Sequence, residues 1–451
     1  MNEELMLKEL LLDHIIRKDV IGLRELFDEY NIVDLAEYVN KLDVLDIIFI
    51  FKTVTKDVTG QLFSYLDNEV IEKLLEVFNS EQIKGILNNL YSDDLIDFLQ
   101  ELPINLSKKV LSSASTQQKQ IINELLSYQE DTAGSIMSTN YLELTEDDTV
   151  FQAMDKIKKH GKKAETLGTC FVLDNNGILV GTVTLRDILF EKDLQYIKDI
   201  MDTDYNYVLT HTDTEEVARI MQKYDDNTLA VTDEDYHMLG IITIDDVIDV
   251  IQEEATEDIH KMAAITPLEY PYLEAGVFKI AKSRLVWLML LMVSYAISSI
   301  IITNNDQLLL LIPSLITFIP MLMDTAGNAG SQASAMVIRG IIVDNLTIKD
   351  FFRVLYKELM IALIIGLILL IINVLRIVFF VPNIGLDMAL IVSISVFVVV
   401  ILAKLAGGLF PLLALVVKID PAVMAAPLIT TTCDAISLLT YFSLAKLWLK
   451  L

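Results

Sequence analysis

Ala426-Pro427-Leu428-Ile429-Thr430-Thr431-Thr432-Cys433-Asp434-Ala435-Ile436-Ser437-Leu438-Leu439-Thr440-Tyr441 is the stretch on which the reading of this chain turns. From Pro421 to Ala445 it carries one charge, the acid Asp434. The stretch is long enough to supply the ~20 residues that a helix needs to cross a bilayer. A carboxylate at membrane depth costs at least ~2.5 kcal/mol, so it marks a candidate functional site, and a lone acid there suits a cation. The competing reading is an acid at a helix end, capping or snorkelling at the interface.

Outward from this stretch, charge divides the chain. Residues 1–283 hold 55 acids and 25 bases, and residues 284–451 hold 8 acids and 10 bases. A very acidic soluble part therefore precedes an apolar membrane part. Such acidity argues against nucleic acid or anionic lipid as a partner and favours divalent cations. Two cysteines, Cys170 and Cys433, exclude a disulfide framework and a cysteine-rich metal site. The acidic start, Met1-Asn2-Glu3-Glu4, lacks the features of a signal peptide, so the soluble part is expected in the cytoplasm.

The membrane part reads as five spans. They are expected at 285–305, 307–323, about 359–380, from about 388, and about 421–445. The fourth contains Lys404, Gly407-Gly408 and Pro411, which predicts a long, tilted or broken helix, or a sixth span if it splits. Basic residues before the first span (Lys279, Lys282, Arg284), between the second and third (Arg339, Lys349, Arg353, Lys357) and between the fourth and fifth (Lys418) belong inside. The expectation is a multi-pass protein of the inner cell membrane, surrounded by membrane lipid, with a cytoplasmic N-terminus and the C-terminus outside.

The soluble part repeats itself. Gly181-Thr182-Val183-Thr184-Leu185-Arg186-Asp187 is matched by Gly240-Ile241-Ile242-Thr243-Ile244-Asp245-Asp246. Each is preceded by a strand and a turn, and each repeat opens on Met-Ser/Asp-Thr, at 137–139 and 201–203. The pattern resembles a tandem CBS pair, a β-α-β-β-α module that senses nucleotides or ions. Whether the pair takes ATP is left open by the sequence. Residues 1–132 differ: short helical runs with frequent breaks predict an all-α superhelix. Ser92 is expected to cap a helix over 93–102, on which Asp93 and Asp97 share a face. Between soluble and membrane parts, residues 245–259 lack Gly and Pro and predict a connecting helix. Asp246, Asp249, Glu253, Glu254, Glu257 and Asp258 spread over one broad side of it. These acids are either regulatory cation ligands or a solvated face.

Taken in order, these parts resemble the MgtE family of magnesium channels over nearly the whole chain. Pro320-Met321-Leu322 with Gly327-Asn328-Ala329-Gly330-Ser331-Gln332 is similar to one family segment. Asp420-Pro421-Ala422 and Pro427-x-x-Thr430-Thr431-x-x-Asp434 are similar to the last-span signature, and Glu254-Ala255-Thr256-Glu257-Asp258-Ile259 to the start of the plug helix. Ala326 departs from a frequent glycine. The resemblance implies a multidomain protein: helical N domain 1–132, first CBS unit 133–200, second 201–252, plug helix 253–280 and transmembrane domain 281–451. It implies a homodimer, not an enzyme, that takes up Mg²⁺ through a pore at Asp434, with Thr430, Thr431, Gly327 and Asn328 beside the ion. Prolines 320, 421 and 427 would free carbonyls toward the path, and Asp420 would cap the last span. Regulatory Mg²⁺ would sit on Asp93, Asp97, Asp246, Asp249, Glu254, Glu257 and Asp258. Alternatives from the residues are a cation exchanger coupling Mg²⁺ efflux to Na⁺ or H⁺, a transporter that also takes Co²⁺ or Mn²⁺, an anion channel disfavoured by the core acid, and a membrane enzyme for which no nucleophile and base appear.

Overall fold

The computed structural model describes every residue except Met1, Glu269, Tyr270, Pro271, Glu274, Asn383, Ala425 and Leu451. Pro271, expected just beyond the connecting helix, Asn383 in an outer loop and Ala425 within the expected last span thus lie outside the described residues. The chain forms two compact units, Met1–Ile251 and Gln252–Leu451.

The first unit begins with short helices, α1 to α10, running from Asn2–Arg17 to Thr116–Leu125. Asp19, Asn31, Thr55, Asn79 and Ser115 each accept a first-turn backbone N–H at a helix start. Each satisfies a donor that the helix itself leaves open. Apolar faces meet in one core that includes Leu11, Leu23, Leu35, Ile50, Leu62 and Leu74. This is the stacked all-α arrangement expected from the broken helical runs.

Next come β1 (Glu143–Thr145), α11 (Val150–His160), β2 (Thr169–Leu173), β3 (Leu179–Thr184) and α12 (Leu185–Phe190). The same order returns as β4 (Tyr207–Leu209), α13 (Thr214–Tyr224), β5 (Thr228–Thr232), β6 (Met238–Thr243) and α14 (Ile244–Met262). In each sheet the first strand pairs parallel with the second, and the second antiparallel with the third. The opening segments are exchanged: Ser138 bridges Ile241 of the second repeat, and Asp202 bridges Thr182 of the first. The repeat glycines make room for this crossing. A Cβ on Gly181 would lie 2.8 Å from the Asp202 carbonyl oxygen, and one on Gly240 2.8 Å from that of Ser138.

The second unit takes the last part of α14, which runs unbroken from Ile244 to Met262. It continues with α15 (Val277–Thr303), α16 (Asp306–Leu311), α17 (Ile319–Ile342), α18 (Phe351–Phe380), α19 (Leu386–Val417) and α20 (Ala426–Leu449). Among the described residues four stretches, containing α15, α18, α19 and α20, are long and apolar enough to cross a membrane. The remaining long helix, α17, has 24 residues, a length of about 36 Å at 1.5 Å per residue.

The expected second span needs correction. Residues 307–323 form α16, a 3₁₀ turn over Pro313–Phe318 and only the start of α17. The long helix runs on to Ile342 and holds the whole Gly327–Gln332 segment. Hydropathy misplaced it because α17 is buried through small residues: Ala326, Gly327, Ala329, Gly330, Ala333 and Ser334 are all buried. Close helix approach calls for small side chains, not apolar ones. The fourth stretch does not split, since α19 is continuous through Pro411. The prolines also act differently from expectation. Pro320 and Pro427 lie in first turns and Pro421 opens a 3₁₀ turn, where the missing N–H costs no helical bond. Pro411, inside α19, is the one that leaves a carbonyl, that of Gly407, without its helical donor.

Candidate cation sites

The first group of acids is built on α8, Ser92–Glu101. Ser92 is not its cap. The helix begins at Ser92 after Tyr91, and the Ser92 hydroxyl accepts from the Thr139 backbone N–H at 2.7 Å and the Thr139 hydroxyl at 3.1 Å. The Ser92 N–H donates to Asn140 Oδ1 at 3.0 Å. These bonds dock the start of α8 on the segment that opens the first repeat.

Docking brings Asp93, 8% exposed, against Glu165 and Asp246, with one carboxylate oxygen from each lying within 4.8 Å of the others. Asp93 Oδ1 and Glu165 Oε2 are buried without a hydrogen-bond partner. Asp246 Oδ2 accepts from the Thr243 hydroxyl at 2.6 Å. Burial first, then the charges of Glu165, Asp94 and Asp246, push Asp93 up to about 8. Burial pushes Glu165 to about 7, with Asp246 and Asp245 adding to it and bonds to Ser138 and Thr243 opposing. Burial and the charges of Asp246 and Asp245 raise Asp94 to about 6, and burial also raises Asp246. Three converging carboxylates, two of them with an unpartnered oxygen, are donors of the kind that a hard divalent cation takes.

Asp93 and Asp246 are therefore brought together. Asp97 and Asp249 are exposed and outside this group of three. Glu165, which completes it, was missed in the sequence. Glu254, Glu257 and Asp258 lie on the last part of α14, in the second unit. There Glu257 Oε1 pairs with Lys261 Nζ at 2.6 Å, and Lys261 also reaches Asp420 Oδ2 at 2.7 Å. Burial pulls the Lys261 ammonium down, but its bonds to Asp420 and Glu257 outweigh that and hold it above the usual lysine range. Asp420 Oδ1 accepts the Ala422 N–H at 2.8 Å, so it caps the 3₁₀ turn ahead of α20.

The second group lies in the membrane helices. Asp434, on α20, is 5% exposed. Gly327 is buried under Thr430, whose Cγ2 would lie 2.8 Å from a Cβ there. The Thr430 hydroxyl is 3.4 Å from that of Ser331 on α17. The Thr431 hydroxyl donates to its own helix, at Leu428 O (3.0 Å). Gly330 is covered by Cys433 Sγ and Ile429, and a Cβ on Gly407 of α19 would fall on the Gly330 backbone. Asn328 is exposed on the isolated chain. A second acid, Asp324, is exposed on α17, the helix that packs against α20. The sequence reading had ended the second span one residue before it.

Fold and sites together define a multi-pass membrane protein with a CBS pair and buried carboxylates suited to hard cations. A family profile described as a divalent cation transporter matches residues 319–444, one for the MgtE intracellular N domain matches 30–131, and one for the CBS domain matches 133–192 and 197–253. The chain is 32% identical to the magnesium transporter MgtE of Thermus thermophilus, over 96% of each chain, and 29% identical to that of Bacillus subtilis, over 98% of each. The chain belongs to the MgtE family. Among solved structures it is similar to the soluble part of a magnesium transporter, with 31% identity and a TM-score of 0.54, covering 56% of this chain and 99% of that one. It is also similar to the cytosolic domain of the Mg²⁺ channel MgtE in complex with ATP, with 30% identity and a TM-score of 0.50, covering 54% and 99%.

Proposed function

We propose that the chain forms a Mg²⁺-selective channel for magnesium uptake, and that intracellular Mg²⁺ bound at Asp93, Glu165 and Asp246 holds it shut. The observation that carries the gating is the convergence of those three carboxylates with two buried oxygens lacking any partner. A bound divalent cation would supply the charge that now has to come from protons. Without it, repulsion among Asp93, Asp94, Glu165 and Asp246 favours opening of the first unit. Asp97, Asp249, Glu254, Glu257 and Asp258 add acid to the same response.

Permeation is assigned to Asp434, with Thr430, Thr431, Gly327 and Asn328 shaping the path. Mg²⁺ gives up water reluctantly. A carboxylate that accepts hydrogen bonds from its water shell can hold it without stripping it. The working assembly is a homodimer in the inner cell membrane, with the first unit cytoplasmic, the C-terminus outside and the domain boundaries read from the sequence. ATP at the CBS pair is supported by the ATP-bound relative.

A coupled exchanger is the second reading, favoured by Asp324, a second acid on α17, the helix that packs against the one carrying Asp434. One experiment separates the readings: Mg²⁺ currents from full-length protein in liposomes under imposed Mg²⁺, Na⁺ and H⁺ gradients. A channel reverses at the Mg²⁺ equilibrium potential. A reversal that moves with Na⁺ or pH would replace the channel by an exchanger.

A further inference from the structure

Two ionisable side chains of opposite charge, both away from Asp434, are buried on neighbouring helices of the second unit. Glu358 of α18 is 7% exposed and Lys404 of α19 is 4% exposed. Ionisable groups at such depth persist when paired or functional. Glu358 Oε2 is buried and accepts no hydrogen bond. Lys357, the neighbour of Glu358 on α18, is exposed.

The pair sits at a particular level of α19. Gly408, one turn after Lys404 on the same face, marks the close approach of α18: a Cβ there would lie 3.1 Å from Glu358 Cγ and 3.7 Å from Val354 Cγ1. Its neighbour Gly407 turns the other way and rests on the bare backbone of Gly330. The Gly407 carbonyl also lacks its helical donor, because residue 411 is proline. At this level α19 has little side chain, one helical bond fewer, and contact with α17 on one side and α18 on the other. Gly330 in turn touches Cys433, the neighbour of Asp434.

We propose that the buried opposite charges of Glu358 and Lys404 offset each other across the α18–α19 contact and fix α19 against α18 at Gly408, and so set the spacing of α17 and α20 around Asp434. They are positioning residues and not ion ligands, since an ammonium beside the carboxylate repels a divalent cation. The inference rests on Asp434 as the permeation site.

The test is Mg²⁺ flux into liposomes carrying full-length wild type, Glu358→Gln, Lys404→Met, the double variant, and the exchanged pair Glu358→Lys with Lys404→Glu. Each single variant leaves one buried charge unmatched and should lower maximal flux about tenfold or more. The half-saturating Mg²⁺ concentration should not move. The double and exchanged variants should return to within about threefold of wild type, because the two sites act as a unit. Rescue by exchange is a readout that packing alone would not give. Wild-type flux in the single variants, losses that multiply in the double, or a shifted half-saturation or Mg²⁺/Ca²⁺ preference would overturn the pair. If the single variants fail to give a monodisperse protein, the other two decide: restored protein and flux support the pair, and continued failure of both overturns it. A wild type that carries no Mg²⁺ at all would instead remove the proposed function.

Discussion

At the scale of single residues, Asp93 and Glu165 make the sharpest claim. Their folded values, about 8 and about 7, lie above the ordinary 3.8 and 4.5. The folded state therefore keeps protons that the unfolded chain has released, and stability falls as pH rises from about 4 toward 8. Without Mg²⁺, the full-length protein in detergent should melt lower at pH 8 than at pH 5.5. Millimolar Mg²⁺ should raise the midpoint more at pH 8, where it displaces fewer protons. Asp93→Asn should raise the metal-free midpoint at pH 8 and blunt the gain from Mg²⁺; a variant that keeps the wild-type Mg²⁺ gain would take the ion off this cluster. For Asp434, Asp434→Ala should abolish Mg²⁺ flux or its ion preference while the protein stays folded, measured by liposome flux and gel filtration. Wild-type selectivity in that variant would remove Asp434 from the path. The sequence revealed Asp434 because its charge stands alone in an apolar stretch. Asp246 stood out on the acid-rich side of the connecting helix, and Asp93 by its four-residue spacing from Asp97. Glu165 lies between the 3₁₀ turn Gly161–Lys163 and β2, in irregular chain with no period to mark it.

At the scale of elements, the sequence was informative where apolarity and burial coincide and misleading where they part. α15, α18 and α20 announce themselves by composition. α17 is held by glycine, alanine and serine against α19 and α20, so its packing face reads as a loop. Its contact with α19 tolerates no side chain: Gly407→Val should push Val onto the Gly330 backbone and sharply lower the yield of folded protein. Gly85→Ala, at a half-buried position inside α7 (Ser80–Leu87) with open space at its Cβ, is the control and should stabilise by roughly 0.5–1 kcal/mol in denaturant titration. The acids late in α14 are assigned to gating only in the proposed function. Replacing Glu254, Glu257 and Asp258 by Ala should keep ion preference and raise open probability at inhibitory internal Mg²⁺. Moving a closed fraction from 99% to 1% takes about 5.5 kcal/mol, within reach of three charged contacts at ~1.5–3 kcal/mol each. Unchanged closure in patch recordings would contradict this role.

At the scale of the whole molecule, 55 acids against 25 bases in residues 1–283 make cation binding a matter of self-repulsion. Removing Mg²⁺ should loosen residues 1–260 and open 245–260 to protease, and equal digestion rates at zero and high millimolar Mg²⁺ would exclude sensing by this route. The division into acidic and apolar parts was plain in the charge count, and the CBS pair in its doubled Gly-x-x-Thr-x-x-Asp pattern. The exchange of opening segments between repeats was not, because Ser138 with Ile241 and Asp202 with Thr182 join residues far apart in the chain.

The Cys433 thiol that covers Gly330 has a practical consequence. Cys433 and Cys170 are both 0% exposed, so the native protein presents no thiol to a water-soluble maleimide. It is already a blank background for spectroscopic labels, with no need for a cysteine-free variant. A reporter cysteine placed anywhere on the surface would take up dye alone. Any slow labelling of the unmodified chain would then time the parting of α17 from α20 at the level of Asp434, or the opening of the first sheet at Cys170; Cys433→Ser would tell the two apart.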